Sequence, residues 1–104
     1  MSYYKVAEIT DIDRKSLIEV VLNGFTLLLY RDENDRFFCI RNLCTHDSAA
    51  LFGGTVEDGT IACPKHGSKF DLKTGEALTM PAAVGVEAFP VKAEGNEIFV
   101  GIEE

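Results

Sequence analysis

Leu17-Ile18-Glu19-Val20-Val21-Leu22-Asn23-Gly24-Phe25-Thr26-Leu27-Leu28-Leu29-Tyr30 decides the fold class. Two runs rich in β-forming residues flank Asn23-Gly24, the dipeptide that best satisfies a two-residue hairpin turn in which both positions need positive φ. The stretch therefore predicts a β-hairpin, and the chain on either side continues in the same manner. Upstream, Tyr4, Val6 and Glu8 alternate with Tyr3, Lys5 and Ala7, a half-buried strand pattern, and Thr10 or Asp11 is expected to cap one brief helical turn. Downstream, Asp32-Glu33-Asn34-Asp35 reads as a turn into a strand over 37–40, and Asp58-Gly59 turns a second hairpin within residues 53–62. Lys73-Thr74-Gly75 is a further turn. Strands over 86–91 and 97–102 follow, separated by Glu94-Gly95-Asn96, with Ile98, Val100 and Ile102 on one face. No stretch of ten or more residues has helical periodicity, and no repeat or linker interrupts the chain. The expected architecture is all-β, a small antiparallel sandwich or barrel forming one domain over residues 1–104.

The composition is that of a folded globular protein, with 46% hydrophobic and 26% charged residues in 104. A net charge of −7 argues against nucleic acid or anionic lipid as partner and leaves a basic protein surface as the charged partner, if there is one. The apolar run over residues 25–30 is far short of the roughly 20 residues that span a bilayer, and the amino terminus lacks a basic-then-apolar signal pattern. A cytoplasmic monomer, away from membranes, is expected.

Chemistry concentrates in residues 44–66, which open Cys44-Thr45-His46 and close Cys63-Pro64-Lys65-His66. Both histidines of the chain and two of its three cysteines lie here. Two thiolates and two imidazoles suit zinc or an iron–sulfur cluster, and the ligand types alone leave both open. The mixed loops favour a binuclear cluster: each supplies one Cys and one His, so both cysteines can hold one iron and both histidines the other. Gly53, Gly54, Pro64 and Gly67 suit loops whose backbone amides must come close to cluster sulfur. The third cysteine, Cys39, lies in an apolar strand-like run and reads as a packed core residue. There is no G-x-G-x-x-G, no phosphate loop and no further histidine for a mononuclear iron, so substrate chemistry has nowhere to occur and the chain reads as a carrier, not an enzyme.

Cys44-Thr45-His46 and Cys63-Pro64-Lys65-His66-Gly67-Ser68-Lys69-Phe70-Asp71, continued by Thr74-Gly75 and Pro81-Ala82, resemble the Rieske [2Fe–2S] motif C-x-H…C-x-x-H-G. The likeness covers essentially the whole chain. It implies a Rieske fold with a cluster-binding subdomain made by two loops, over about residues 43–82, and one [2Fe–2S] cluster. By resemblance, Cys44 and Cys63 ligate one iron, His46 and His66 ligate the other through Nδ1 with their ring edges near solvent, and Pro81 lies in a loop covering the cluster. High-potential respiratory members carry two more cysteines that bridge the loops; here Ala49 and Lys65 occupy those places. Ser68 matches a serine that hydrogen-bonds cluster sulfur, whereas Phe70 replaces a tyrosine that does the same. Fewer such bonds leave the reduced cluster less stabilised, which predicts a potential toward the low end of the Rieske range of about −150 to +300 mV.

Soluble members without the bridging cysteines serve bacterial systems for aromatic hydrocarbon catabolism, as the ferredoxin between an NAD(P)H-dependent flavoprotein reductase and a terminal Rieske non-haem iron oxygenase that dihydroxylates an aromatic ring. The resemblance implies that role. The ferredoxin of a diiron monooxygenase and the small subunit of a nitrite reductase are the electron-transfer alternatives. Outside electron transfer, a redox or iron sensor and a structural zinc module use the same four ligands.

Overall fold

The structure, a computed structural model, describes residues 1–45, 49–80 and 84–103. In chain order the elements are β1 (Ser2–Glu8), a 3-10 turn (Ile9–Asp11), β2 (Ser16–Leu22), β3 (Phe25–Arg31), β4 (Phe37–Arg41), β5 (Thr55–Glu57), β6 (Thr60–Ala62), β7 (Lys69–Asp71), β8 (Ala88–Phe89), β9 (Val91–Glu94) and β10 (Glu97–Ile102). They form three antiparallel sheets with strand orders β1-β10-β9, β2-β3-β4-β8 and β5-β6-β7.

The predicted hairpin is present, with Leu22 opposite Phe25 and with Asn23 and Gly24 at φ +51° and +81°. Asp58 and Gly59 repeat this at φ +50° and +74° between Glu57 and Thr60. Alternation along β3 explains why its centre is a continuous apolar run. Leu27 and Leu29 face a base core with Val20, Cys39, Ile98 and Val100, whereas Leu28 and Tyr30 face an upper core with Ile40, Ile61 and Phe70. The central sheet is thus covered on both faces, and four consecutive residues of β3 are buried.

Two local readings change. The strand expected over 86–91 is divided at Pro90: Ala88–Phe89 pairs with β4 and Val91–Glu94 pairs with β10. Proline has no N–H for a ladder, so the chain changes sheets there. The helical turn after β1 is capped by Glu8 and not by Thr10 or Asp11; Asp11 instead accepts the Glu8 backbone N–H at 2.8 Å. Cys39 is a core residue as expected, and burial raises its thiol pKa to about 12.

Asp35, at φ +63° in the turn before β4, does more than face solvent. Its carboxylate accepts two bonds from Arg14, at 2.7 and 2.8 Å, and two from Arg31, at 3.0 and 2.8 Å. Arg31 also donates to the Ile12 carbonyl at 2.7 Å, so the group ties residues 12–14 to the β3–β4 turn. Hydrogen bonds from Arg14 and Arg31 hold the Asp35 carboxyl well below the usual carboxylate range. A depressed folded value means stability that is present above the unfolded value of about 3.9 and is lost as pH falls toward the folded one. Asp35→Asn keeps the left-handed turn accessible while removing the charge. Thermal melts should show the variant less stable than the parent at pH 7, with the gap closing below about pH 4 and narrowing in high salt, as for any exposed ion pair.

Candidate metal centre

The two cysteines of the motif arrive from different directions. Cys44 lies beyond the end of β4, where Leu43 donates to the Arg41 carbonyl at 2.9 Å and the Cys44 N–H donates to the Ala49 carbonyl at 2.6 Å, closing a small ring. Cys63 follows β6 directly. Its N–H donates to the Ser68 carbonyl at 2.7 Å and its carbonyl accepts the Gly67 N–H at 2.9 Å, so residues 63–68 form a closed loop between β6 and β7. Gly67 sits at φ +77°, which side-chain-bearing residues rarely adopt.

Cys44 is fully buried and Cys63 is 2% exposed. Both belong to the upper core, with Leu28, Ile40, Leu51, Ile61 and Phe70, and neither is in a disulfide. His66, three residues beyond Cys63, is exposed. Both cysteines of the motif are therefore closed off from water, and His66 is open to it. Ser68 is fully buried at the end of the same loop. His46 lies outside the described residues, as do Pro81 and Ala82. Among the described residues, no group of three or more His, Cys, Asp and Glu side chains is gathered to hold a metal.

The segments on either side of residues 81–83 are tied to both loops. Leu78 donates to the Lys69 carbonyl at 2.8 Å, Lys69 donates to the Thr79 hydroxyl at 2.9 Å, and the Thr45 hydroxyl donates to the Val84 carbonyl. Phe52, Leu78, Met80 and Val84, all from these loops, leave large apolar side chains exposed. One structural participant escaped the sequence reading. Asn42 is buried at the neck of the first loop, and its Oδ1 accepts the N–H groups of Leu51 and Phe52. An Asn at the end of an apolar run, two residues before the first cysteine of the motif, was the available signal.

Residues 2–90 match the Rieske [2Fe-2S] domain family. The chain belongs to that family. This Rieske chain is 32% identical to the ferredoxin component of the naphthalene 1,2-dioxygenase/salicylate 5-hydroxylase systems of a Ralstonia species, over 98% of its own length and 97% of the relative's. Among solved structures it is similar to the ferredoxin of carbazole 1,9a-dioxygenase from Nocardioides aromaticivorans IC177, with a TM-score of 0.92, 28% identity and coverage of 99% and 100% of the two chains. It also matches a chain in a complex of reduced oxygenase and oxidized ferredoxin in carbazole 1,9a-dioxygenase, with a TM-score of 0.85, 30% identity and coverage of 94% and 91%.

Membership implies one Rieske [2Fe–2S] cluster, in which two cysteines serve one iron and two histidines the other. The donor set fits. Two buried thiols, in no disulfide and brought into one apolar core by separate loops, match the sulfur side, and an exposed imidazole on the second loop matches the other.

Proposed function

We propose that this Rieske domain is the ferredoxin of a multicomponent aromatic-ring dioxygenase system, working in the cytoplasm and carrying one electron at a time from an NAD(P)H-dependent flavoprotein reductase to a terminal oxygenase. The observation that carries the reading is the division of the site, with Cys44 and Cys63 inside and His66 at the surface. Cys44 and Cys63 hold one iron, and His46 and His66 hold the other. A bound [2Fe–2S] cluster would exchange one electron reversibly, its +2 oxidised core being cancelled by two thiolates so that it adds no net charge when oxidised and one negative charge when reduced. His66 gives an edge that a docked partner can reach, and Phe52, Leu78, Met80 and Val84 offer apolar contact on the same loops. The relatives carrying ferredoxin names, and the neighbour seen with its oxygenase, support this role over substrate chemistry. The whole chain acts as one domain, its cluster-binding part spanning about residues 43–82.

Mixing the protein with a flavoprotein reductase, NADH and a ring-hydroxylating oxygenase should give product formation that depends on its addition. EPR of the dithionite-reduced protein should show a Rieske signal. A colourless protein with no such signal is the zinc outcome and would overturn the reading, and a coloured protein that sustains no turnover with any oxygenase would favour a sensor.

Ser68 tunes this site. A fully buried hydroxyl needs a partner, and cluster sulfur is the one that would make it matter to the potential. Ser68→Ala should lower the midpoint by about 40–90 mV, taking about 1–2 kcal/mol of preference for the reduced state and 59 mV per tenfold change for one electron. An unmoved midpoint by protein-film voltammetry would assign the hydroxyl to the turn alone.

A further inference from the structure

Asn42 and Ser68 are the two buried polar side chains among the described residues. Asn42 stands one residue past β4 and two before Cys44. Its backbone N–H donates to the Thr26 carbonyl at 3.0 Å, anchoring it to the central sheet. Its side chain is used at both ends. Oδ1 accepts from Leu51 N at 2.8 Å and from Phe52 N at 2.9 Å, and Nδ2 donates to Glu19 Oε2 at 2.9 Å. Leu51 and Phe52 lie at the far end of the first loop, and Leu51 is fully buried in the same core as both cysteines. One side chain therefore shuts the neck of the loop that carries Cys44 and His46, outside the inner ring closed by Cys44 and Ala49.

The orientation of that amide matters. Two N–H donors approach it from the loop, so an oxygen must face them, because an NH₂ turned the same way would set donor against donor. A carboxylate only accepts. Glu19, reaching from the edge strand β2, therefore selects the orientation in which the oxygen faces the loop, and a charge-assisted bond of this kind also polarises the amide toward stronger acceptance at Oδ1. With Ala49 and Lys65 in place of loop-bridging cysteines, no covalent staple does this work.

We propose that Glu19 and Asn42 form the positioning device of the first cluster loop: Asn42 holds the loop neck closed and Glu19 fixes which face of the amide it uses. The proposal rests on the reading of Cys44 as a cluster ligand. Both residues act through the loop and touch no reacting atom.

The test exchanges donor and acceptor in the cluster-loaded protein. Asn42→Asp keeps oxygens for Leu51 and Phe52 but sets two carboxylates against each other, and should speed iron release to excess chelator about tenfold, within the range for directly coupled polar pairs. Glu19→Gln alone can still accept from Asn42 but loses the charge and can also donate, so it should speed release about two- to threefold. Combining the two substitutions rebuilds the bond in reverse, and should bring the rate back to within about threefold of the parent and restore the parent EPR line shape. A parent-like rate for Asn42→Asp, or a combined variant as fast as Asn42→Asp alone, overturns the proposal. Should Asn42→Asp fail to fold, Glu19→Ala decides, since Glu19 is exposed: hydrogen exchange by mass spectrometry should rise about tenfold over residues 49–54 and hold steady in β3 and β4. No change over 49–54 sinks the idea. Absence of any cluster from the parent protein would instead overturn the proposed function, and the exchange experiment would still report on the neck.

Discussion

Cys63→Ala is expected to reduce bound iron from about two per chain to background, and to abolish the visible colour and the reduced-state EPR signal. Nothing else in the loop must move for this to happen. The Cys63 N–H and carbonyl bonds to Ser68 and Gly67 are made by the backbone and survive the substitution, so the loop keeps its shape and loses only its sulfur. A thiolate has no substitute in the apolar wall around it, where Ile61 and Phe70 are fully buried. Because metal binding stabilises the fold it depends on, the thermal midpoint should fall to that of the iron-free parent. Cys39→Ala is the matched control. Cys39 is as buried as Cys44 and Cys63 but lies in the base core, on the other face of the central sheet, and its raised pKa keeps it a neutral thiol. That variant should lose some packing energy and retain its full iron. Iron loss in both would mean that the iron is not held where we assign it.

Phe70→Ala is expected to cost about 3–5 kcal/mol, a large part of the roughly 5–15 kcal/mol that holds a domain of this size together. Phe70 is fully buried in β7, opposite Ile61 on β6 and bridged on its other side to Ala77. It belongs to the core in which the third sheet meets the upper face of the central sheet, so the cavity would open between those two sheets. Denaturant melts measure the loss, and iron release should accelerate alongside it because Cys44 and Cys63 line the same core. A change below about 1 kcal/mol would show that the site collapses around the smaller residue. Phe70→Tyr separates packing from electronics. By its resemblance to the high-potential members it places a hydroxyl where a cluster sulfur would accept, so the midpoint should rise while the fold holds.

The strands, the two tight hairpin turns and the family's Cys/His motif were legible because each is a local requirement. Alternation sets the two faces of a strand, positive φ at Asn23 and Asp58 suits Asn or Asp followed by Gly, and a metal loop needs its Cys and His within a few residues of each other. Other features were settled only by packing. Sequence alone did not divide Leu27–Leu29 from Leu28–Tyr30 between two cores, because the partners that cover them, Val100 and Phe70, lie some 40 to 70 residues further along. Pro90 marks the change of sheet only once β4 and β10 are seen to compete for the segment around it. Asn42 looked like one more polar residue at the end of a strand until folding brought Glu19 to one end of its amide and Leu51 and Phe52 to the other. By itself the sequence determined the strands, their turns and the Cys/His pattern that marks the family, with Cys44 and Cys63 just beyond strand ends. Tertiary structure decided which of the motif's residues are kept from water and what holds their loops closed, since burial and hydrogen bonding between distant segments exist only after the sheets have packed.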